Sequence, residues 1–232
     1  MLEPGLSPRR FLQRYWQKEP LLLRGAVSSS FGLSGDVLAG LACEDDVESR
    51  LVLGSVEQGF RLEHGPFEAK RFRRLPRREW TLLVQDVDQH LPRVAALFEG
   101  VSFIPDWRVD DVMVSYAVPG GSVGPHVDAY DVFLVQLQGE RRWQLSAQQD
   151  LELRSDAELK LLARFTPEVE HVLGPGDVLY LPPGLAHYGL AQSECLTASV
   201  GFRAPSQDEL LADFLQEVAT GASLERYGDP DR

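Results

Sequence analysis

Residues Gly174–His187 read GPGDVLYLPPGLAH, a stretch in which sharp turns enclose one short apolar run. A Gly-Asp pair predicts a tight turn, and the run Val178–Leu181 has the composition of a buried strand. A rigid Pro-Pro-Gly corner then leads directly to His187. Short strands between such turns are typical of an antiparallel jelly roll or barrel. The stretch therefore predicts a β-rich core with a histidine at a fixed corner.

The surrounding sequence repeats this pattern between Trp107 and Arg203. Short apolar runs are separated by glycine and proline, which predicts strands joined by turns. Residues 146–163 interrupt the pattern; they are polar and helix-prone, and we interpret them as an insertion. The predicted strands are Val109–Val118, Val132–Gln138, Arg142–Leu145, Glu170–Leu173, Val178–Leu181 and Leu196–Phe202.

The rest of the chain has a mixed pattern. Ser7-Pro8 predicts a helix start, Leu21–Leu23 a buried strand, and residues Val87–Phe98 a further helix. Ser206 and Glu209 form a capping-box pattern ahead of an apolar helix. We therefore expect an N-terminal α/β segment at 1–100 that packs on the barrel, a core at 101–204, and a C-terminal helix and tail at 205–232.

The composition is that of a globular protein. The chain has 232 residues, of which 44% are hydrophobic, which is enough for one large core, and the tryptophans at 16, 80 and 107 are predicted to belong to it. The net charge of −12 argues against polyanion binding by the protein as a whole. No run approaches the roughly 18 to 20 apolar residues that span a bilayer, and the N-terminus lacks the pattern of a signal peptide. Cys43 and Cys195 are far apart and form no disulfide framework, so a cytoplasmic location is predicted.

A second segment, Pro119–Asp131, carries chemistry: it reads PGGSVGPHVDAYD. If it is a strand, His126 and Asp128 point the same way, because alternate residues of a strand share a face. His187, from a distant strand, would complete a two-histidine, one-carboxylate triad, the ligand set of Fe(II) oxygenases. A lone His-x-Asp is weak evidence, and any jelly roll needs turns like those before His187. The two segments together, on a β-rich background, favour a metal site.

Several phrases of the sequence resemble one family. DVMVS, PGGSVGPHVDAYDVF, QGERRW, GPGDVLYLPPGLAH and SVGFRAP are similar to the bacterial JmjC-type ribosomal oxygenases, the 50S ribosomal protein arginine 3-hydroxylases. The resemblance implies a mainly β fold with flanking helices, a double-stranded β-helix of the jelly-roll or cupin type, with residues 101–204 as the JmjC catalytic core. It also implies Fe(II), 2-oxoglutarate and O2, and hydroxylation of the β-carbon of an arginine in a large-subunit ribosomal protein. Family members usually continue into a dimerisation region and a winged-helix-like domain, which this sequence lacks, so the oligomeric state stays open.

The co-substrate site is predicted from chemistry and resemblance together. The distal carboxylate of 2-oxoglutarate needs a buried cation, and arginine binds carboxylates through its planar guanidinium. The JmjC pattern places a basic residue two positions before an aromatic, which selects Arg141, with Arg142 turned to the other face. Ser115 is similar to the family's hydroxyl partner for the same carboxylate. Taken without the metal motif, both arginines would be interpreted as solvated turn residues.

The same strand predicts a substrate pocket. Asp111, Met113 and Ser115 alternate, so they would share one face, with Asp111 able to pair with a guanidinium. The resemblance adds Tyr130 and Ser199 to this pocket. Alternatively, Asp111 caps the strand or pairs with Arg108.

Other functions and contacts stay open at this point. The enzyme could be a JmjC oxygenase for another residue, such as a histidine hydroxylase or a demethylase, and a non-catalytic metal-binding cupin is a further alternative. Residues 70–78 contain six basic side chains. They are interpreted either as a solvated loop or as a weak contact to ribosomal RNA.

Overall fold

The computed structural model describes residues 6–27, 32–204 and 206–221. Within them the chain forms eleven strands and six α-helices, with short 3-10 turns between. The helices are α1 (Pro8–Arg14), α2 (Gly35–Leu41), α3 (Ala69–Phe72), α4 (Val87–His90), α5 (Pro92–Ala95) and α6 (Gln207–Gly221). The strands are β1 (Leu21–Leu23), β2 (Ser49–Ser55), β3 (Gly59–His64), β4 (Trp80–Val84), β5 (Val109–Ala117), β6 (Asp131–Gln138), β7 (Arg141–Ser146), β8 (Val169–Leu173), β9 (Val178–Leu181), β10 (Ala186–Ala191) and β11 (Cys195–Phe202).

The strands form two antiparallel sheets. The larger has the order β1-β9-β6-β11-β5-β4-β2-β3, and the smaller has the order β10-β7-β8. A buried apolar cluster joins them, because Leu134 and Leu179 of the large sheet pack with Trp143 and Leu173 of the small one. This arrangement confirms the predicted jelly-roll fold, a double-stranded β-helix with helices at its flank.

The opposite face of the large sheet is covered by the N-terminal helices. Val112 and Val114 are fully buried there, as the alternation along β5 predicts. Phe11 of α1 is also fully buried, with its ring centroid 5.6 Å from that of Phe133 and 5.0 Å from that of Tyr180. Helix α1 begins as predicted, with the Ser7 hydroxyl accepting from the Arg10 amide.

The N-terminal strands extend the large sheet. Strand β4, which the sequence did not predict, pairs with β5 from Thr81 opposite Ala117 to Val84 opposite Val114. Strands β2 and β3 continue the sheet beyond it. These strands therefore share a sheet with the core strands, while the division of the chain at 1–100, 101–204 and 205–232 stays a prediction.

Three local predictions were wrong. The helix expected over Val87–Phe98 is broken into α4, α5 and a 3-10 turn, because Leu91 is extended before Pro92. Residues 146–163 contain no helix and are held by an isolated bridge between Leu153 and Leu162. Trp107 is not in the core: it is 73% exposed, on a short 3-10 turn just before β5.

Helix α6 begins with the predicted capping box. The Glu209 carboxylate accepts from the Ser206 amide, and the Ser206 hydroxyl accepts from the Glu209 amide. The apolar residues of this helix, among them Leu211 and Phe214, are exposed. Residues 222–232, predicted to form the tail, lie outside the described residues. Within the described segments, every helix is too short or too polar to cross a membrane.

Candidate metal and substrate site

The segment that carries His126 and Asp128 is not a strand. It is an irregular connection between β5 and β6, with one isolated β-bridge from His126 to His187 of β10. The two residues exchange both backbone hydrogen bonds, His126 N to His187 O at 3.0 Å and His187 N to His126 O at 2.9 Å. The expectation of strand alternation was therefore wrong for this segment, but the bridge brings the predicted side chains together.

The three side chains converge on one point. His126 Nε2 lies 3.8 Å from Asp128 Oδ1, and His187 Nε2 lies 3.6 Å from Asp128 Oδ2. One potential ligand atom from each residue lies within 4.8 Å of the other two, and they are the single group of this kind among the described residues. Two imidazoles and a carboxylate are a donor set suited to a divalent first-row metal ion.

The protein also orients the two imidazole rings. His126 Nδ1 lies 3.0 Å from Gly124 O, and His187 Nδ1 lies 2.9 Å from Leu185 O. A neutral imidazole that donates from Nδ1 keeps its lone pair on Nε2, the nitrogen that faces the convergence point. Burial, and then the neighbouring His126, lower the pKa of His187 to about 4, so this ring is neutral at physiological pH. The arrangement fits a bound metal ion.

A cavity of about 650 Å³ opens at this point between the two sheets. All of the residues predicted for the site line it, so the fold brings the three groups of the sequence analysis into one space. They are the triad His126, Asp128 and His187, the pair Ser115 and Arg141, and the group Asp111, Met113, Tyr130 and Ser199.

Arg141 is a buried cation in this cavity. Its side chain is on β7 and the residue is only 7% exposed. Nη1 lies 3.3 Å from the Ser115 hydroxyl, Nη2 lies 3.7 Å from Cys195 Sγ, and Nε has no hydrogen-bond partner. No carboxylate within the described part of the chain pairs with it, so it can receive one from a ligand. Arg142 points elsewhere and pairs with Glu170 at 3.7 Å.

Asp111 is held by hydrogen bonds at another part of the cavity. Its Oδ2 accepts from Gln85 Nε2 at 3.2 Å and from the backbone amide of Asp86 at 3.3 Å. It does not pair with Arg108, which instead lies 3.5 Å from Asp131. Burial raises the pKa of Asp111 to about 6, with a further contribution from neighbouring acidic groups such as Asp110. A cation entering the cavity would relieve that unfavourable environment.

Several cavity residues were missed by the sequence analysis. Arg50 lies on β2 and Gln85 directly follows β4, while Gly201 lies near the end of β11 and Arg203 directly follows that strand. Residues Glu158–Leu161, on the connection between β7 and β8, also line the cavity. No motif or spacing signals these positions, because they reach the cavity only through sheet pairing and loop packing.

Residues 96–210 match the family model for the JmjC domain. The chain therefore carries a JmjC domain. The resemblance carried by its sequence motifs is thereby confirmed. The matched residues span β5 to β11. They therefore include the three predicted metal ligands and the core strands that line the cavity.

Several proteins that this chain resembles are named ribosomal oxygenases or hydroxylases. It is 42% identical to the ribosomal protein uL16 3-hydroxylase of Escherichia coli, over 95% of this chain and 59% of that protein. It is 40% identical to a probable ribosomal oxygenase of Haemophilus influenzae, over 90% of this chain and 53% of the other. A solved structure of the E. coli ribosomal oxygenase YcfD in complex with cobalt and 2-oxoglutarate is similar at a TM-score of 0.83 and 40% identity, covering 98% of this chain and 60% of that one. The chain thus spans less than two thirds of the length of these relatives.

Proposed function

We propose that this chain is an Fe(II)- and 2-oxoglutarate-dependent protein hydroxylase that acts on the β-carbon of an arginine in a large-subunit ribosomal protein. One observation carries the proposal. A metal-ligand triad, a buried guanidinium with no carboxylate partner among the described residues, and a buried carboxylate line one cavity between the sheets. These are the groups needed to hold a metal, a dicarboxylate and a cationic side chain.

His126, Asp128 and His187 would hold the metal ion. Three protein ligands leave coordination positions for other groups, as in 2-His-1-carboxylate oxygenases. When bound, Fe(II) with 2-oxoglutarate supplies the activation of O2. The balanced reaction inserts one oxygen atom into a C–H bond of the substrate and the other into succinate, with release of CO2.

Arg141 and Ser115 would bind the distal carboxylate of 2-oxoglutarate. The guanidinium stays charged and has hydrogen-bond donors in a fixed plane, which suits a carboxylate. The Ser115 hydroxyl lies 3.3 Å from Arg141 Nη1, and so beside the same position. The low exposure of Arg141 strengthens the attraction, because water screens it poorly there.

Asp111, Met113, Tyr130 and Ser199 would form the pocket for the substrate arginine. Asp111 supplies the counter-charge, and the Tyr130 ring offers an aromatic face to a cation. That ring already has a cation beside it: the Arg203 guanidinium carbon lies 5.6 Å from its centroid. Support for a ribosomal substrate comes from the E. coli relative, which is named a ribosomal protein uL16 3-hydroxylase. Such a substrate implies a cytoplasmic place of action.

The direct test is mass spectrometry of ribosomal proteins after incubation with the purified chain, Fe(II), 2-oxoglutarate and O2. We expect a gain of one oxygen on an arginine, absent when 2-oxoglutarate is omitted. Oxygen on a histidine, or loss of methyl groups from lysine, would instead support another JmjC activity. Unmodified proteins, despite binding of iron and 2-oxoglutarate, would support a non-catalytic metal-binding cupin.

A weak contact to ribosomal RNA through residues 70–78 is the second part of the proposed partner set. Lys70 pairs with Glu68, and Arg71 makes two hydrogen bonds to Glu63 at 2.8 and 3.0 Å. The remaining basic side chains are exposed and have no ion pair within the described part of the chain: Arg73, Arg74, Arg77 and Arg78.

RNA binding by this segment is testable by salt dependence. Each phosphate contact changes the slope of log affinity against log salt by about −0.7 for a single strand. Replacing the four arginines with glutamine should flatten that slope for a ribosomal RNA oligonucleotide. The control is replacement of Arg154 and Arg164 with glutamine, because the charges of these two surface arginines are already paired. An equal slope for all variants would mean that the segment is a solvated loop.

A further inference from the structure

The two oxygens of the Asp111 carboxylate have different surroundings. Both hydrogen bonds, from Gln85 Nε2 and from the Asp86 amide, reach Oδ2. Oδ1 accepts no hydrogen bond from the described residues and points towards Gly201 of β11. One oxygen is therefore occupied by the protein, while the other is left for a ligand.

Gly201 keeps the space in front of Oδ1 open. A Cβ atom at this position would lie 3.6 Å from Asp111 Oδ1, 3.7 Å from Asp110 Cβ and 3.8 Å from Tyr130 Cε2. These are ordinary van der Waals distances, so an alanine fits without a clash but occupies the gap between the carboxylate and the tyrosine. The gap lies where the pairing of β11 with β5 shifts register, between Val200 and Phe202. A planar group has room to enter between Asp111 and Tyr130 because Gly201 has no side chain.

Gln85 has a fixed orientation. Its Oε1 accepts from Arg50 Nη2 at 3.1 Å, and its backbone amide donates to Glu48 O at 3.0 Å. Because an arginine can only donate, the atom beside Arg50 must be the amide oxygen, and the atom beside Asp111 must be the NH2 group. The series of contacts Arg50–Gln85–Asp111 therefore holds the carboxylate with Oδ2 turned towards the connection that follows β4 and Oδ1 turned towards Gly201.

We propose that Gly201 and Gln85 determine the preference of this site for a guanidinium group. Gly201 provides a slot beside Asp111 Oδ1 that admits a planar side chain, and Gln85 is the positioning residue that keeps Oδ1 aimed into that slot. The inference rests on the proposed function and deepens it. It adds to the pocket two residues whose effects on ligand binding differ in kind, one steric and one electrostatic.

The two roles are separable with a pair of ligands of equal shape. One is a basic peptide with a single arginine, and the other is the same peptide with citrulline, which keeps the planar form but lacks the charge. Binding is measured by fluorescence anisotropy with Fe(II) and 2-oxoglutarate under anaerobic conditions, so that no turnover occurs. Gly40→Ala is the control for adding a methyl group, because a Cβ atom added there would meet no atom within 4 Å beyond its own helix. Gln144→Met is the control for losing an amide–carboxylate bond, since Gln144 bonds Glu170 at 2.9 Å outside the cavity.

We expect Gly201→Ala to weaken binding of both peptides by about tenfold or more, the usual effect of one methylene in a pocket. Gln85→Leu should weaken the arginine peptide by about two- to tenfold, the effect of one lost hydrogen bond, while citrulline changes little. The arginine-to-citrulline ratio therefore falls in Gln85→Leu and stays constant in Gly201→Ala. Both controls should bind as the wild type does, and thermal melting verifies that all four variants are folded.

Each contrary result has one meaning. Unchanged arginine binding by folded Gly201→Ala overturns the slot, and an equal loss of both peptides in Gln85→Leu overturns its positioning role. Equal binding of arginine and citrulline by the wild type overturns Asp111 as the guanidinium partner, and with it the slot. Wild-type protein that binds arginine selectively but adds no oxygen to it in air overturns the proposed hydroxylase while the slot stands.

Discussion

The two ends of the cavity are organised in different ways: the metal end contains His126, Asp128 and His187, and the proposed substrate end contains Asp111. At the metal end, each imidazole is oriented by a carbonyl only two residues earlier, Gly124 O for His126 and Leu185 O for His187. At the substrate end, Asp111 is oriented by groups 26 and 25 residues away, on the connection that follows β4. Local backbone therefore defines the metal end, whereas sheet pairing defines the substrate end.

This difference has a functional consequence. The metal end is contained in two short motifs, so any chain that folds them and pairs His126 with His187 acquires the triad. The substrate end depends on Arg50 and Gln85, which belong to the N-terminal strands and their connections and not to the core. Changes in those strands can alter what the pocket accepts without touching the metal ligands. Substitutions at the two ends should therefore differ in size and in what they leave intact.

The largest effect is expected at the triad. Changing His126, Asp128 or His187 to alanine should abolish turnover, because two ligands no longer define the metal geometry. Bound iron and the succinate formed are the measurements. His171→Ala, half-buried on β8 and outside the cavity, is the control and should remain active. Wild-type turnover in any triad variant would mean that the residue is not a ligand.

The next effect is expected between the two ends. Arg141→Glu should prevent 2-oxoglutarate binding while iron binding persists, because two carboxylates would then face each other in a buried site. Such repulsion amounts to several kcal/mol, which corresponds to about a hundredfold or more in affinity. Titration of the absorbance band of the iron–2-oxoglutarate complex measures it. Arg142→Glu is the control, since Arg142 pairs with Glu170. Unchanged affinity in Arg141→Glu would place the anchor elsewhere.

A smaller and more selective effect is expected at the substrate end. Asp111→Ala should reduce hydroxylation of an arginine peptide by about 30-fold or more, since removing one partner of a buried charge pair costs about 2–5 kcal/mol. The affinity for 2-oxoglutarate should persist, because Asp111 has no role in that site. Asp156→Ala, on a surface pair with Arg154, should change neither quantity. Loss of 2-oxoglutarate binding in Asp111→Ala would show that the two ends are not independent.

The smallest expected effect concerns stability. The folded-state pKa of Asp111, about 6, lies above the ordinary value of 3.8, mainly because of burial. Between these values the folded state keeps a proton that the unfolded state loses, so this group makes stability fall as pH rises through that window. The isosteric Asp111→Asn variant should therefore melt at a higher temperature than the wild type at pH 7. Each kcal/mol recovered corresponds to about 2–4 °C in a chain of this size.

The same comparison at pH 4 is the control for that prediction. There the wild-type carboxyl is largely protonated in the folded state, so the difference in melting temperature should nearly vanish. An equal difference at both pH values would mean that the substitution acts through packing and not through the charge of Asp111.

The motifs were sufficient to predict most of the core, and the reason is local. Strands β6, β9 and β11 are short apolar runs between turn residues, and the capping box of Ser206 and Glu209 satisfies its own backbone groups. The predicted helix over Val87–Phe98 failed because one proline, Pro92, outweighed the apolar spacing around it. The prediction that Trp107 belongs to the core failed because a large apolar side chain does not by itself specify burial.

The sequence by itself determined the ligand types, the JmjC motifs and the alternation that turns Met113 and Ser115 to one face of β5. Only the tertiary structure decided that an irregular segment, bridged to β10, aims His126 and Asp128 at His187. It also decided that Gln85 and Gly201 meet at Asp111. Those contacts form between residues far apart in the chain, through sheet pairing and a register shift. Sheet pairing and register shifts produce no periodic pattern in the sequence.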